Sequence, residues 1–249
     1  MRPLRRVADG FTLAANFLTV APVPVRAGAD PAWMPAWFPV VGALVGALAG
    51  MTRIALDPLL GPVPATVLAA AVLVAATGAL HQDGLADCAD GLGVRGDPPR
   101  RLAVMREPQV GVFGLLAVAL WLALLLSALA GLGSDDSLRA LVVACALGRW
   151  SALLHGVLAP PARTEGLGAT FHVSPMALAL GSVAALALAF ALESPAQALG
   201  AVVAAVLTGL AMTAWARRCI GGRTGDTLGA SVALVEVVVC LVLLGFARS

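Results

Sequence analysis

Charge is what this chain has least of. Only 12% of its 249 residues are Asp, Glu, Lys or Arg, against about 25% in a soluble domain. With 60% hydrophobic residues and a mean hydropathy of +0.93, a water-soluble globular fold is excluded. Lysine and tyrosine are absent, so all sixteen basic side chains are arginine. An alanine excess accompanies this, and both fit a GC-rich genome. The four cysteines, Cys88, Cys145, Cys219 and Cys240, lack paired or metal-type spacing, which argues against disulfides or a thiolate metal centre. There is no internal repeat and no low-complexity tail. The formal net charge of +2 is silent on nucleic acid, and none is expected among the partners.

What the chain has instead is apolar length. Seven apolar stretches lie at 37–56, 63–80, 110–132, 138–158, 175–192, 196–216 and 228–247. A helix needs about 20 apolar residues to cross a bilayer, and backbone polar groups in lipid must be satisfied within their segment. The predicted fold is therefore all-α, a polytopic helical membrane protein with about seven transmembrane helices, in a single domain over residues 1–249. Pro58, Pro62, Pro64, Pro160, Pro161, Pro175 and Pro195 fall at the junctions, where proline punctuates helices cheaply.

Arginine sets the expected orientation. Arg2, Arg5, Arg6 and Arg26 precede the first stretch, and Arg95, Arg100, Arg101 and Arg106 follow the second. Arg163 follows the fourth, and Arg217, Arg218 and Arg223 follow the sixth. The alternate loops are short and carry Asp57, Asp135, Asp136 and Glu193, although Arg139 borders one of them. The arginine side is expected to be cytoplasmic, with the N-terminus inside, the C-terminus outside, and a bacterial inner membrane between. The opening "MRPLRRVADGFTLAANFLTVAPVPVRAGA" also has the basic start and small-residue ending of a signal peptide. Cleavage or full spanning there would turn the arginine-rich loops outward, so an interfacial or re-entrant helix over 9–21 is expected instead.

The charge-dense, glycine-rich stretches 81–109, 159–174 and 217–227 all fall on the arginine side, which points to one composite site. In "HQDGLADCADG", Asp83, Asp87 and Asp90 are spaced i, i+4 and i+7, so on a helix all three carboxylates share a face. Clustered carboxylates at a membrane edge are costly. A divalent cation sustains such a cluster, and Mg²⁺ takes one or two carboxylates with waters and substrate phosphates. Gly84, Gly91 and Gly93 would let phosphate or backbone approach closely. The "DG" pairs are also turn signals. His81 is either a base, a substrate contact or an interfacial histidine. Arg95, Arg100, Arg101 and Arg106 follow the acids; guanidinium forks suit diphosphate, and the same residues serve the orientation bias.

In "CIGGRTGDTLGA", Gly221, Gly222 and Gly225 surround Arg223, Thr224 and Asp226. N–H groups at a helix start there would receive a phosphate, or Asp226 is a first-turn acid favoured by the helix dipole. Arg149 and Glu236 lie deep in apolar stretches. Intramembrane charges are functional by default, and the economical arrangement pairs these two with each other; His155 shares that interior. Asp87 to Gly91 with Arg95 is similar to the first half of the CDP-alcohol phosphotransferase signature. Its second half is missing, because Val104, Pro108 and Val112 occupy the required positions. That gap counts against a lipid-synthesising enzyme. A cation transporter would place acids at mid-membrane on several helices, where only Glu236 lies.

Taken together, "HQDGLADCADG" resembles the HxDGLADxxDG signature of the cobalamin synthase family. "NFLT" with "PVP", "WFPVVGALVG", "MREPQVGVFG", "GRW", "EGLGATF" and "GGRTGDTLGA" with Glu236 extend the resemblance along the whole chain. Departures touch individual phosphate contacts: Val20 where the family usually has arginine, Arg106-Glu107-Pro108-Gln109 for its Lys-Asp-Pro-Arg, and "GVFG" for "GTFG". The resemblance implies a membrane-bound, Mg²⁺-dependent transferase. Its substrates would be adenosylcobinamide-GDP and α-ribazole or α-ribazole 5′-phosphate, and its products adenosylcobalamin (or its 5′-phosphate) and GMP. It implies Asp83, Asp87 and Asp90 as Mg²⁺ ligands, with one of them, His81 or Asp226 as the base. Arg95, Arg100, Arg101, Arg106, Gly91, Gly222, Arg223 and Thr224 would bind substrate, with Arg149 and Glu236 in support. Self-association and contact with other late-pathway enzymes are left open.

Overall fold

The computed structural model describes residues 2–248, with side chains from residue 7 onward. Eleven α-helices follow in order: α1 (Arg2–Leu18), α2 (Phe38–Leu60), α3 (Pro62–Thr77), α4 (Leu80–Gly93), α5 (Pro98–Val104), α6 (Val112–Ala130), α7 (Ser134–Leu158), α8 (Leu167–Thr170), α9 (Pro175–Leu192), α10 (Pro195–Ile220) and α11 (Gly225–Ala247). Among the described residues six helices are long and apolar enough to cross a membrane, and α3 with α4 forms a further pair broken by an 87° bend. This is the all-α, multi-pass architecture expected. The four cysteines are free thiols.

At the centre stands α7, packed against α2, α9, α10 and α11. Membrane helices associate through close van der Waals packing, which small residues permit. Gly42, Gly46 and Gly50 lie at four-residue steps on α2 and press on α7. A Cβ added to them would collide with the backbone of Cys145, Leu141 and Leu138 respectively.

Polar ties replace hydrophobic ones where backbone or charge is buried. The Arg53 guanidinium, 1% exposed, donates to Leu129 O, to Ser137 Oγ at 2.6 Å and to Leu132 O at 2.9 Å. It thereby fastens the end of α6 and the turn that follows it to α2. Trp121 Nε1 donates to Ala233 O at 2.9 Å. The His155 ring joins three helices, meeting Thr213 Oγ1 at 2.6 Å and Thr227 Oγ1 at 2.9 Å.

Three details depart from the sequence reading. The stretch 81–109, expected to form active-site loops around the acids, is largely helical, as α4 and α5. The second apolar run stops at Thr77 because Gly78 and Ala79 both take φ 59°. Their N–H groups donate back to Ala75 O (3.1 Å) and Val74 O (3.0 Å), a left-handed helix stop. An alanine held there costs roughly 1–2 kcal/mol, so the bend is enforced by packing. Finally, α1 begins upstream of the expected 9–21 segment and ends at Leu18, before Pro22 and Pro24. It lies over α2, where Trp37 Nε1 donates to Val7 O at 2.9 Å.

The glycine row gives a test of this packing. Gly46→Leu should separate α2 from α7 and lower stability by about 1–3 kcal/mol or more, read as an earlier midpoint in SDS-induced unfolding of detergent-solubilised protein. Val67→Leu, on an exposed face of α3, should leave the midpoint in place.

Candidate active site

The acidic helix α4 docks on the first turns of α11. A Cβ on Gly84 would fall 2.7 Å from Asp226 O, and one on Gly229 would fall 3.3 Å from Leu80 O. This approach sets Asp83 and Asp87 beside Asp226. Asp83 is exposed, while Asp87 and Asp226 are half-buried. Asp87 feels the charges of Asp226, Asp83, Asp90 and Arg163 together.

Arg163 is the cation drawn into this group. Its Nη1 stands 3.6 Å from Asp226 Oδ2, and its Nη2 donates to Leu102 O at 2.9 Å. Burial holds its pKa below the ordinary value, while Asp226 and Asp87 act to raise it. The sequence reading used Arg163 only for orientation. The signal that marks it is its solitude, as the one arginine of the 159–174 segment.

Asp90 has a different employment. Its carboxylate accepts N–H donors from Gly111 at 2.7 Å and Gly114 at 2.9 Å, so it caps the start of α6. Gly111 and Gly114 have to be glycine here, since a Cβ on either would strike that carboxylate. The three acids read from the sequence do share a helix, but only Asp83 and Asp87 remain with Asp226.

Several residues expected to bind substrate are committed elsewhere. Arg223, 8% exposed, donates to Ala159 O and, at 2.8 Å, to Phe171 O, pinning the 159–171 segment. Thr224 is the N-cap of α11: its hydroxyl accepts from Thr227 N–H at 3.2 Å, and its own N–H donates to Thr227 Oγ1 at 2.9 Å. Gly222 and Gly91 serve packing rather than phosphate approach. Gly222 lies against Pro160 O, and Gly91 against Met105 and Arg101 O. Arg101 folds back to Leu92 O and, at 3.1 Å, to Gly96 O. Arg95, Arg100 and Arg106 remain exposed, with Arg100 3.8 Å from Glu107. Arg149 and Glu236 form the expected buried ion pair.

Two hollows meet at this edge. A polar one, with about 330 Å³ of open space, is lined by Arg163, Glu165, Thr224, Gly225 and Asp226. Gly225 and Asp226 open α11, where N–H groups lack intrahelical acceptors, so phosphate is a suitable guest. The other hollow is apolar and has His81 and Arg149 in its lining. His81 thus belongs to the apolar hollow, not to the acid group.

No three His, Cys, Asp or Glu side chains form a ready cage for a bare ion among the described residues. The donors present are carboxylates from two helices. That chemistry suits Mg²⁺, which keeps waters and is completed by substrate phosphates rather than by an all-protein cage.

Comparison with known proteins gives a consistent result. Residues 10–244 match the cobalamin-5-phosphate synthase family. The chain is 39% identical to an adenosylcobinamide-GDP ribazoletransferase of Bradyrhizobium diazoefficiens, over 98% of this chain and 96% of that protein. It is 36% identical to one of Mesorhizobium japonicum, over 96% and 93%, and 42% identical to one of a Roseiflexus species, over 68% and 65%. No solved structure matches.

The division of labour among the acids can be measured as stability. Asp90→Ala leaves two N–H groups of α6 without their acceptor and should lower stability by about 1–3 kcal/mol in SDS or thermal unfolding. Asp83→Asn, at an exposed position, should stay within about 0.5 kcal/mol of the native protein.

Proposed function

The chain belongs to the cobalamin-5-phosphate synthase family, and from that premise we propose how its acidic edge does the chemistry. The activity is the last assembly step of the cobalamin nucleotide loop. The cobinamide-phosphate moiety of adenosylcobinamide-GDP passes to α-ribazole or its 5′-phosphate, and GMP leaves. A ribose hydroxyl of the ribazole attacks the phosphorus nearer cobinamide. An O–P bond forms there, and the bridging bond to GMP breaks.

Asp83, Asp87 and Asp226 would hold Mg²⁺ against the diphosphate. When bound, the ion supplies neutralisation of the charge that builds on the phosphoryl oxygens. The approach of α4 to α11 carries this reading, because it gathers carboxylates that are far apart in sequence. One of the three accepts the hydroxyl proton. Asp90 acts from behind, fixing the start of α6 against α4. Arg163 restrains Asp226, and the N–H groups opening α11 face the polar hollow where a phosphate fits.

The exposed arginines Arg95, Arg100 and Arg106 are the group for the leaving nucleotide, their forks matching phosphate oxygens. Arg101 and Arg223 hold backbone instead. The Arg149–Glu236 pair supports the floor of the apolar hollow. Arginine distribution supports placing this edge in the cytoplasm, with the N-terminus inside and the C-terminus outside an inner membrane. The whole chain then works as one unit, with substrates arriving from the aqueous side.

The assay uses purified protein in liposomes with adenosylcobinamide-GDP, α-ribazole and Mg²⁺, following GMP and corrinoid product. Ribazole-dependent GMP release should stop with EDTA and return with Mg²⁺. Asp87→Asn and Asp226→Asn should each lower kcat by about 100-fold or more, without a matching loss of stability. Full activity in Asp226→Asn would confine the chemistry to α4 and contradict the two-helix site.

A further inference from the structure

The apolar hollow is not accounted for by phosphate chemistry. It opens beside the acids, since Gly225 and Gly229 of its lining flank Asp226 on α11. One wall is a ladder of phenyl rings from three parts of the chain. Phe17 of α1 stacks on Phe38 at 5.8 Å and 12°, and Phe38 on Phe171 at 5.6 Å and 30°. Ala152 and Val232, both small, also line it.

Besides Arg149, which is paired with Glu236, its polar lining residue is His81. This side chain is 2% exposed and borders the hollow, yet its ring makes no hydrogen bond among the described residues. A ring nitrogen that faces a hollow is open to a guest's hydrogen bond, worth about 0.5–1.5 kcal/mol. An occupant able to bond with that ring is therefore favoured over one that cannot.

Resting on the transferase reading above, we infer that this hollow seats the base of the incoming nucleoside and that His81 reads its free ring nitrogen. The base of ribazole is a dimethyl-substituted benzimidazole: flat, apolar, bicyclic, with one nitrogen bound to ribose and the other carrying a free lone pair. Its faces suit the phenyl wall, and its free nitrogen accepts an N–H from the His81 ring. With the base so seated, the ribose leads out past Gly225 toward Asp226, where its hydroxyl is needed. A lipid acyl chain would fit the apolar lining but would leave His81 unpaired. The placement also gives α1 a task, since Phe17 and Leu18 form part of the wall.

The test replaces one atom of the substrate. In the liposome assay, α-ribazole is compared with the matching indole riboside, in which a C–H stands where the free nitrogen was. Native protein should show kcat/KM about tenfold or more lower for the indole compound. In His81→Phe that gap should close, by loss on α-ribazole alone. Ala152→Leu should fill the hollow and raise KM for both nucleosides by about tenfold or more, with KM for adenosylcobinamide-GDP within about twofold of native.

Equal use of the two nucleosides by native protein would overturn the inference. So would equal losses on both in His81→Phe, or a KM for adenosylcobinamide-GDP that rises with that for nucleoside in Ala152→Leu. Labelling of the hollow by a photoreactive phospholipid that α-ribazole does not compete away would overturn it too, in favour of lipid. These failures all leave GMP release by native protein intact. No GMP release with either nucleoside would instead sink the transferase premise, and this inference with it.

Discussion

Everything at the acidic edge depends on how closely α4 can approach α11. Gly84 allows the backbones to meet near Asp226, and Gly229 allows the second contact one turn deeper. Any side chain at Gly84 would push Asp83 and Asp87 away from Asp226 and split the site. The bend at Gly78 and Ala79 serves the same end, because a straight α3–α4 helix would carry the acids past α11. Local strain at Ala79 is thus tied to the position of charges several residues away.

Bringing like charges together in an apolar protein is unfavourable, and the surroundings show how the fold tolerates it. Arg163 stands inside the group as its counter-ion. The N-terminus of α11 contributes the positive end of a helix dipole near Asp226. Asp90 is drawn off the cluster by two backbone donors, Gly111 N–H and Gly114 N–H. Beneath, His155 joins α7, α10 and α11 through two threonine hydroxyls, one of them in the cap of α11. The buried Arg149–Glu236 pair, in which neither charge is left alone, links α7 to α11. The buried interior is therefore a mount for the acidic edge, where we place the reacting groups.

Much of this was legible in the sequence, for reasons that can be named. The apolar runs are long because lipid demands them, so the spanning helices could be read directly, except that the second run is one arm of the bent α3–α4 pair. Asp83, Asp87 and Asp90 at i, i+4 and i+7 do share a helix, and the Arg149–Glu236 pair followed from the cost of isolated charge. What could not be read depends on tertiary approach. Asp90 and Asp83 are the same residue type with the same spacing logic, and only the arrival of Gly111 and Gly114 separates their tasks. Gly222 of "GGRTGD" looks like a phosphate binder but lies against the backbone of Pro160, while Gly225 opens onto the polar hollow. Arg223 and Arg163 are alike on paper. One holds carbonyls of its own loop, and the other enters the acid group.

The account rests on one site built from two segments far apart in the chain, α4 and the start of α11. Its most direct test is Mn²⁺ binding, followed by electron paramagnetic resonance on protein in liposomes with GDP as a diphosphate partner. The native chain should take up one ion per chain, and Asp87→Asn and Asp226→Asn should each weaken binding by about tenfold or more. Weakening by Asp87→Asn alone, with Asp226→Asn indistinguishable from native, would contradict a shared site and leave α4 as the metal-binding element by itself.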